Sequence, residues 1–243
     1  MTAWWAQTRA EVSMSFRRGE SLLLLVGIPV ALLCFFAETH VITLHGGRPV
    51  DEIAPGIIAL SVMSSSLVLL AIATGFERSY GVLRRLTVTP LGRPRYLAAK
   101  VAATLVTEAV QVAVVVLVAV ALGWRPHGGW AGAAALAAVV LLATAAFVGL
   151  GLVLAGTLRA EATLAAANGL YLVLLLVSGF VIPVSDLPHA LADVIVVLPS
   201  GALGDAMHNV LGHGAGVGAA NLVSLAAWAV AAPAVATRAF RFA

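Results

Sequence analysis

Long runs of apolar residues, separated by short polar stretches, dominate the pattern along the chain. A run of about 20 residues without charge is what a helix needs to cross the hydrocarbon core of a membrane. The runs are continuous rather than alternating, and backbone groups in lipid must pair within their own segment, so they predict helices and not barrel strands. The predicted spans cover residues 21–37, 55–76, 101–123, 131–158, 162–184 and 217–237.

Composition supports this interpretation. Hydrophobic residues make up 61% of the 243 residues and charged residues only 10%, whereas a soluble domain holds roughly 45–50% and 25%. The mean hydropathy is +1.04, so the apolar excess indicates a membrane rather than a large soluble core. Cys34 is the only cysteine, which excludes an intrachain disulfide and a cysteine-based metal site.

The distribution of lysine and arginine predicts how the spans are oriented. Of the 14 Lys and Arg residues, 12 fall near the chain ends or in the loops around 78–100 and 159, and only Arg48 and Arg125 fall on the opposite side. The positive-inside rule places both termini and those loops in the cytoplasm. The basic residues are distributed as the positive-inside rule expects of a membrane protein, so the net charge of +3 does not point to a nucleic-acid partner. The six histidines fall on the outer side in spacings that match no ligand motif, and no metal site is expected.

Residues 1–20 predict an interfacial helix ahead of the first span. Trp4, Trp5, Thr8 and Val12 recur at helical spacing among charged residues. Tryptophan favours the headgroup level and arginine favours water, so such a helix lies along the cytoplasmic membrane surface. An unstructured tail is the alternative.

Residues 76–88 carry an amphipathic pattern between the second and third predicted spans. At about 100° per residue, one arc holds Glu77, Arg78, Gly81, Arg84, Arg85 and Val88, and the opposite side holds Phe76, Tyr80, Val82, Leu83 and Leu86. Pro90 then ends the helix, because it lacks an N–H and clashes with the preceding turn. We expect a short helix parallel to the membrane with its charged face in the cytoplasm. It is either a basic loop that sets topology and binds anionic lipid, or a docking element for a soluble partner.

Two strings in the chain resemble the signature of type-2 ABC transporter permeases. "ERSYGVLRRLTVTPL" at 77–91 is similar to the family pattern E-R-x-x-G-x-L-x-x-L-x-x-T-P-L, which occurs just after the second span. "SGFVIPVSDLPHALADVIVVLP" at 178–199 resembles the family's stretch between the fifth and sixth spans. The resemblance covers nearly the whole chain. It implies a single domain over 1–243: an all-α polytopic fold with six spans, the interfacial helix 1–20, a cytoplasmic coupling helix at 77–91 and an outer re-entrant segment at 185–216.

The resemblance also implies a division of labour. The coupling helix would seat on an ABC ATP-binding subunit, and that partner would hold ATP and Mg, because the chain has no G-x-x-x-x-G-K-[ST] motif. No catalytic motif is found either, so we expect no enzyme activity and no cofactor in this chain. The implied docking residues are Glu77, Arg78, Gly81, Arg84, Arg85, Leu86, Thr89 and Pro90.

Glu108 stands near the middle of the third predicted span, with Thr104 and Gln111 on the same helical face. An ionisable group at this depth is costly unless it is paired, protonated or facing water. Either these residues line a translocation pathway, or Glu108 is a hydrogen-bonded group that holds two helices together. The serines at 61, 64 and 65 share one face of the second span and favour a helix contact.

The segment 185–216 lacks Lys and Arg and contains apolar stretches too short to cross a membrane. By resemblance it forms a pair of re-entrant helices that close the pathway from outside. Gly179, Pro183, Pro188 and Pro199 are the predicted outer-gate residues.

The sequence therefore predicts the permease subunit of an ATP-driven exporter in the bacterial cytoplasmic membrane. Six helices hardly enclose a pathway for a bulky molecule, so a second permease copy, identical or related, is expected beside it. Drug-like, antibiotic or lipid-linked cargo is typical of the resembled family. The alternative is a proton-coupled secondary transporter that uses Glu108, although no inverted repeat is evident.

Overall fold

The computed structural model describes residues 3–17, 19–39, 48–83, 92–127, 129–178, 180, 195 and 197–240. These residues form helices joined by short turns, and no strand occurs among them. In chain order the helices are α1 (Ala3–Arg17), α2 (Gly19–Thr39), α3 (Pro49–Ser79), α4 (Gly92–Ala121), α5 (Gly129–Thr157), α6 (Ala160–Leu176), α7 (Pro199–Met207) and α8 (Ala219–Ala239). The all-α fold class is confirmed.

Within the described part of the chain, four helices are long and apolar enough to cross a membrane: α3, residues Arg95–Ala121 of α4, α5 and α8. They coincide with the predicted spans at 55–76, 101–123, 131–158 and 217–237. Two shorter apolar helices, Leu25–Glu38 within α2 and the whole of α6, coincide with the other two. That these two also cross the membrane stays a prediction.

Helix α3 is the most enclosed of the four long helices and forms the centre of the main apolar core. Ile58, Met63 and Leu67 are fully buried in this core, which also contains Phe147 of α5 and Leu203 of α7. Every residue of α7 except Asp205 is buried, so α7 is an internal element.

A π-helical turn, Ser64–Leu69, interrupts α3 halfway along its length. The hydroxyls of Ser64 and Ser65 donate to the carbonyl of Ser61, and Ser66 donates to Val62. Serine side chains that bond to preceding carbonyls compete with the regular helical ladder, and π turns are frequent at functional sites. A second π turn, His208–Gly212, continues α7.

Helices α5 and α8 pack closely because small residues line their contact. A side-chain carbon on Gly149 would overlap the backbone of Ala232 and Pro233, and one on Gly156 would overlap Phe240. Small residues let membrane helices approach in this way. The glycines of the fourth predicted span therefore have a packing role.

Helix α1 packs against α4, with Thr8 and Glu11 buried in the contact. The Trp4 and Trp5 rings stack with their centroids 5.4 Å apart. The helix predicted within 1–20 is present over Ala3–Arg17. Its position at a membrane surface stays a prediction.

Candidate coupling site

Glu77 lies in the last turn of α3 and is bonded through both carboxylate oxygens to α4. Its Oε1 accepts a hydrogen bond from Lys100 Nζ at 2.6 Å, and its Oε2 accepts one from the Tyr96 hydroxyl at 3.0 Å. Tyr96 and Lys100 are four residues apart on α4, so they occupy the same side of that helix. One face of α4 thus holds the whole Glu77 carboxylate.

Lys100 joins this pair to α1. Its Nζ lies 2.7 Å from Glu11 Oε2, and Glu11 Oε1 accepts a hydrogen bond from Gln7 at 2.8 Å. The Lys100 side chain is only 6% exposed and the Glu11 side chain 9%. We call Glu11, Glu77, Tyr96 and Lys100 the Lys100 cluster. It connects three helices through one buried ammonium group.

The electrostatics of the Lys100 cluster make it costly to break. Removing one partner of a buried ion pair costs about 3–5 kcal/mol, whereas an exposed pair contributes about 0–1 kcal/mol. The Tyr96 ring encloses the site: its centroid lies 5.6 Å from Lys100 Nζ and 6.5 Å from that of Phe240, just after α8. The end of α8 therefore also packs on the cluster.

Arg78, the next residue, anchors α3 to the end of α5. Its Nη1 donates to the carbonyl oxygens of Ala155 at 2.7 Å and Leu158 at 3.2 Å. The last carbonyls of a helix have no partner within the helix, and a cation is favoured there by the helix dipole. Arg78 therefore caps α5 where the chain turns into α6.

The structure differs from the single helical arc predicted for 76–88. Helix α3 ends at Ser79, and Tyr80 and Gly81 form a turn in which Gly81 has φ of 71°. This left-handed conformation favours glycine because a Cβ would be strained there. Beyond the turn Leu83 is fully buried, whereas Tyr80 is 74% exposed. Over the described residues 76–83 the predicted faces do not hold, because the helical phase changes at Gly81.

The predicted docking residues fall into two groups. Glu77 and Arg78 bond to other helices of this chain, and Gly81 forms the turn; a Cβ on Gly81 would meet nothing within 4 Å. Arg84, Arg85, Leu86, Thr89 and Pro90 lie outside the described residues. The docking role of all eight stays a prediction.

A second polar cluster lies further along α4, around Glu108, whose side chain is fully buried. Glu108 Oε1 accepts a hydrogen bond from Ser65 at 3.2 Å, and Oε2 accepts one from Thr144 at 2.5 Å. We call Glu108, Ser65 and Thr144 the Glu108 clasp. It ties α4 to the π turn of α3 and to α5.

Gln111 and Thr104, grouped with Glu108 in the sequence, have other surroundings. Gln111 is fully buried and donates to the carbonyl of Leu25 in α2 at 2.8 Å. Thr104 is half-buried and lines a cavity between α1, α3 and α4. The structure therefore brings Glu108 to Ser65 and Thr144 rather than to these two, and the pathway role of the three stays a prediction.

The family model described as ABC-2 type transporter matches residues 2–210, which include both clusters. The chain belongs to the ABC-2 type transporter family. A search of curated proteins gives no significant match. Membership makes the chain a multi-pass membrane protein and a permease subunit of a transporter, and it implies an ATP-binding ABC partner subunit.

The sequence of this ABC-2 chain indicates only part of each cluster. It points to Glu77 and Glu108, but not to Glu11 or Thr144. A glutamate on the inner face of an amphipathic helix, such as Glu11 beside buried Thr8, is a signal that points to a buried partner. Thr144 lies in an apolar run with no such signal.

Of the four predicted outer-gate residues, only Pro199 lies in the part of the chain that the structure describes. Pro199 is the first residue of α7 and is buried, and Leu198 before it is extended. Proline suits this first position because its missing N–H would have no helical partner. Gly179, Pro183 and Pro188 lie outside the described residues. No group of three His, Cys, Asp or Glu side chains suited to a metal occurs in the part of the chain that the structure describes.

Proposed function

We propose that this chain is the permease subunit of an ATP-driven exporter, powered by a separate ABC ATP-binding subunit that docks on residues 77–91. The partner would bind ATP and Mg. The observation that carries the proposal is the anchoring of Glu77 and Arg78. These two residues begin the segment 77–91, and they bond to different helices. Glu77 bonds to α4, and Lys100 extends this contact to α1. Arg78 bonds to the end of α5.

These contacts give a mechanical basis for coupling. A rigid displacement of the segment would move α3 directly, and α1, α4 and α5 through buried polar bonds. Family membership supports the ATP-binding partner, and the positive-inside rule supports a cytoplasmic position for the segment and both termini. We infer that the pathway lies between two permease copies, identical or related, in a bacterial cytoplasmic membrane. The cargo is drug-like, antibiotic or lipid-linked.

The test compares two substitutions of the same glycine in the complex reconstituted with its ATP-binding subunit. Gly81→Ala and Gly81→Trp share the backbone strain of a left-handed residue, about 1–2 kcal/mol, but only tryptophan projects a large group into open space. We expect Gly81→Trp to abolish partner binding or coupled ATP hydrolysis and Gly81→Ala to retain both. Glu77→Lys should uncouple ATP hydrolysis from export by breaking the anchor.

If partner binding and the coupling of ATP hydrolysis to export were both unchanged in Gly81→Trp and in Glu77→Lys, the docking assignment would be contradicted. Cargo movement that persists with a hydrolysis-deficient partner would instead favour the proton-coupled transporter. The partner is identified beforehand by mass spectrometry of the copurified complex and by its own ATP-binding motif.

A further inference from the structure

A cavity of about 60 Å³ lies between α1, α3 and α4 and separates the two polar clusters. Glu11 and Lys100 line one end of it, and Ser65 of the Glu108 clasp lines the other. Three threonines, Thr74, Thr104 and Thr107, line the space between them. The cavity therefore runs along α4 from the buried ammonium toward the buried carboxyl.

The wall of this cavity is polar. Thr74, Thr104 and Thr107 line it together with Glu11 and Lys100. Thr74 is fully buried and lies beside the Tyr96 side chain. Buried water commonly occupies a polar cavity that exceeds about 10–15 Å³. The cavity has both the polarity and the room for more than one water molecule.

Ser65 is the link between the cavity and Glu108. Its Oγ lies 3.2 Å from Glu108 Oε1 and 2.9 Å from the carbonyl oxygen of Ser61. A serine hydroxyl has one proton to donate and two lone pairs to accept with. Three acceptors lie within reach of Ser65 Oγ, the third being the carbonyl oxygen of Val62 at 3.2 Å. A water molecule in the cavity that contacts Ser65 is thus one hydroxyl away from the Glu108 carboxyl.

We propose that this cavity is a water site through which Glu108 exchanges its proton with the end of the molecule where Lys100 lies. In the outward step the Glu108 carboxyl O–H gives its proton to Ser65 Oγ, while the Ser65 O–H gives its proton to a water molecule. The products are the carboxylate, the restored serine and a hydronium ion, and the reverse step reloads Glu108. The inference concerns this chain alone and holds whether or not ATP drives the cargo.

The charged groups that line the cavity are Glu11 from α1 and Lys100 from α4, and Glu77 from α3 bonds to Lys100. From α5, Glu108 meets only the hydroxyl of Thr144 among the described contacts. In this arrangement protons enter past the Lys100 cluster.

The first experiment measures water access with single cysteines in a Cys34→Ser background. Thr104→Cys and Thr107→Cys are placed on the cavity side of α4, and Val106→Cys and Val110→Cys, at exposed apolar positions of the same helix, are the controls. Sealed vesicles of each orientation are treated with Ag⁺, and the remaining thiols are counted with a fluorescent maleimide after denaturation. We expect the two threonine variants to react about tenfold faster than the valine variants, and only from the Lys100 side. Equal rates, or reaction from both sides, would overturn the proposal.

The second experiment follows the proton itself by infrared spectroscopy. The Glu108 carboxyl band is assigned by its loss in Glu108→Gln, and its response to D₂O and to pH is recorded. We expect the Glu108 carboxyl proton to exchange with D₂O in the wild type and to exchange at least about tenfold more slowly in Ser65→Ala. Exchange in Thr144→Val should stay near the wild-type rate. Both variants remove one hydroxyl bond to Glu108, but only Ser65 lines the cavity. A band that never responds, or equal slowing in both variants, would refute the role of the cavity.

Discussion

At the scale of single residues, the two buried carboxyl clusters are stabilised in different ways. In the Lys100 cluster an ammonium group faces two carboxylates, and every carboxylate oxygen of Glu11 and Glu77 accepts a hydrogen bond. Glu108 has hydroxyl partners and no cation within its described contacts. Substitution of the lysine therefore leaves charges without a partner, whereas a neutral isostere of Glu108 keeps its surroundings intact.

Lys100→Met preserves the length of the side chain and removes its charge. We expect the free energy of unfolding to fall by about 3–5 kcal/mol, because Glu11 and Glu77 stay buried without their ammonium. The measurement is thermal unfolding in detergent, with Arg9→Met on the exposed side of α1 as a control that changes stability by about 0.5 kcal/mol or less. Equal midpoints for the two variants would show that the buried pair does not contribute as argued.

Glu108→Gln preserves shape and hydrogen-bonding capacity. We expect an assembled protein with a normal elution profile, because an amide can still bond with Ser65 and Thr144. If Glu108 acts in the pathway, cargo efflux or its pH dependence changes, since an amide neither binds nor releases a proton. Efflux measured across a pH series, with Gln111→Glu as a reciprocal variant, checks this. Wild-type efflux at every pH would end the pathway assignment.

At the scale of elements, a helical wheel is valid only while the helix continues. A helical wheel over 76–88 predicts Glu77 and Arg78 on a cytoplasmic face, yet α3 ends at Ser79 and Gly81 has a positive φ. The partner of Glu77 comes from another helix, and no local pattern carries that information. The existence of the turn could be suspected from Gly81, whereas the anchoring of Arg78 on α5 could not.

Arg78→Met removes the cap of α5 but leaves the apolar contacts of the helix. We expect the end of α5 to open more readily by about 1–2 kcal/mol, which is a factor of about 5–30 in the open population. Hydrogen–deuterium exchange at the amides of Leu158 and Thr163 should accelerate accordingly. The neighbouring exposed Arg159→Met serves as control, and similar exchange in the two variants would contradict the capping role.

At the scale of the whole molecule, hydropathy located the membrane helices because the bilayer fixes their length. The predicted spans at 55–76, 101–123, 131–158 and 217–237 each lie on a helix long enough to cross. The position of Glu108 within the predicted span 101–123 likewise predicts that it lies near the middle of the membrane. Which helices meet, such as α5 with α8, depends on packing between segments far apart in the chain, and composition indicated only that small residues would be at such contacts.

The contact between α5 and α8 gives a prediction with an internal control. Gly149→Ala places a carbon against the backbone of Ala232 and Pro233, whereas Gly169→Ala on α6 places one in open space. We expect Gly149→Ala to lose about 1–3 kcal/mol of stability by overpacking and Gly169→Ala to lose none. Thermal unfolding of the two variants side by side measures the difference, and matching curves would rule out a tight helix contact at Gly149.

The π turn of α3 sets the rotation between the two ends of that helix. It holds one more residue than an α-helical turn, so everything beyond it is rotated by about 100° from where an unbroken helix would place it. Ser65 meets α4 within the turn, and Glu77 meets α4 beyond it. If this stretch formed an unbroken α-helix with the same residues, the span would keep its composition and hydropathy, but Glu77 would be rotated away from Lys100. In this helix the angular register, which hydropathy does not detect, decides whether both ends of α3 remain tied to the same neighbour.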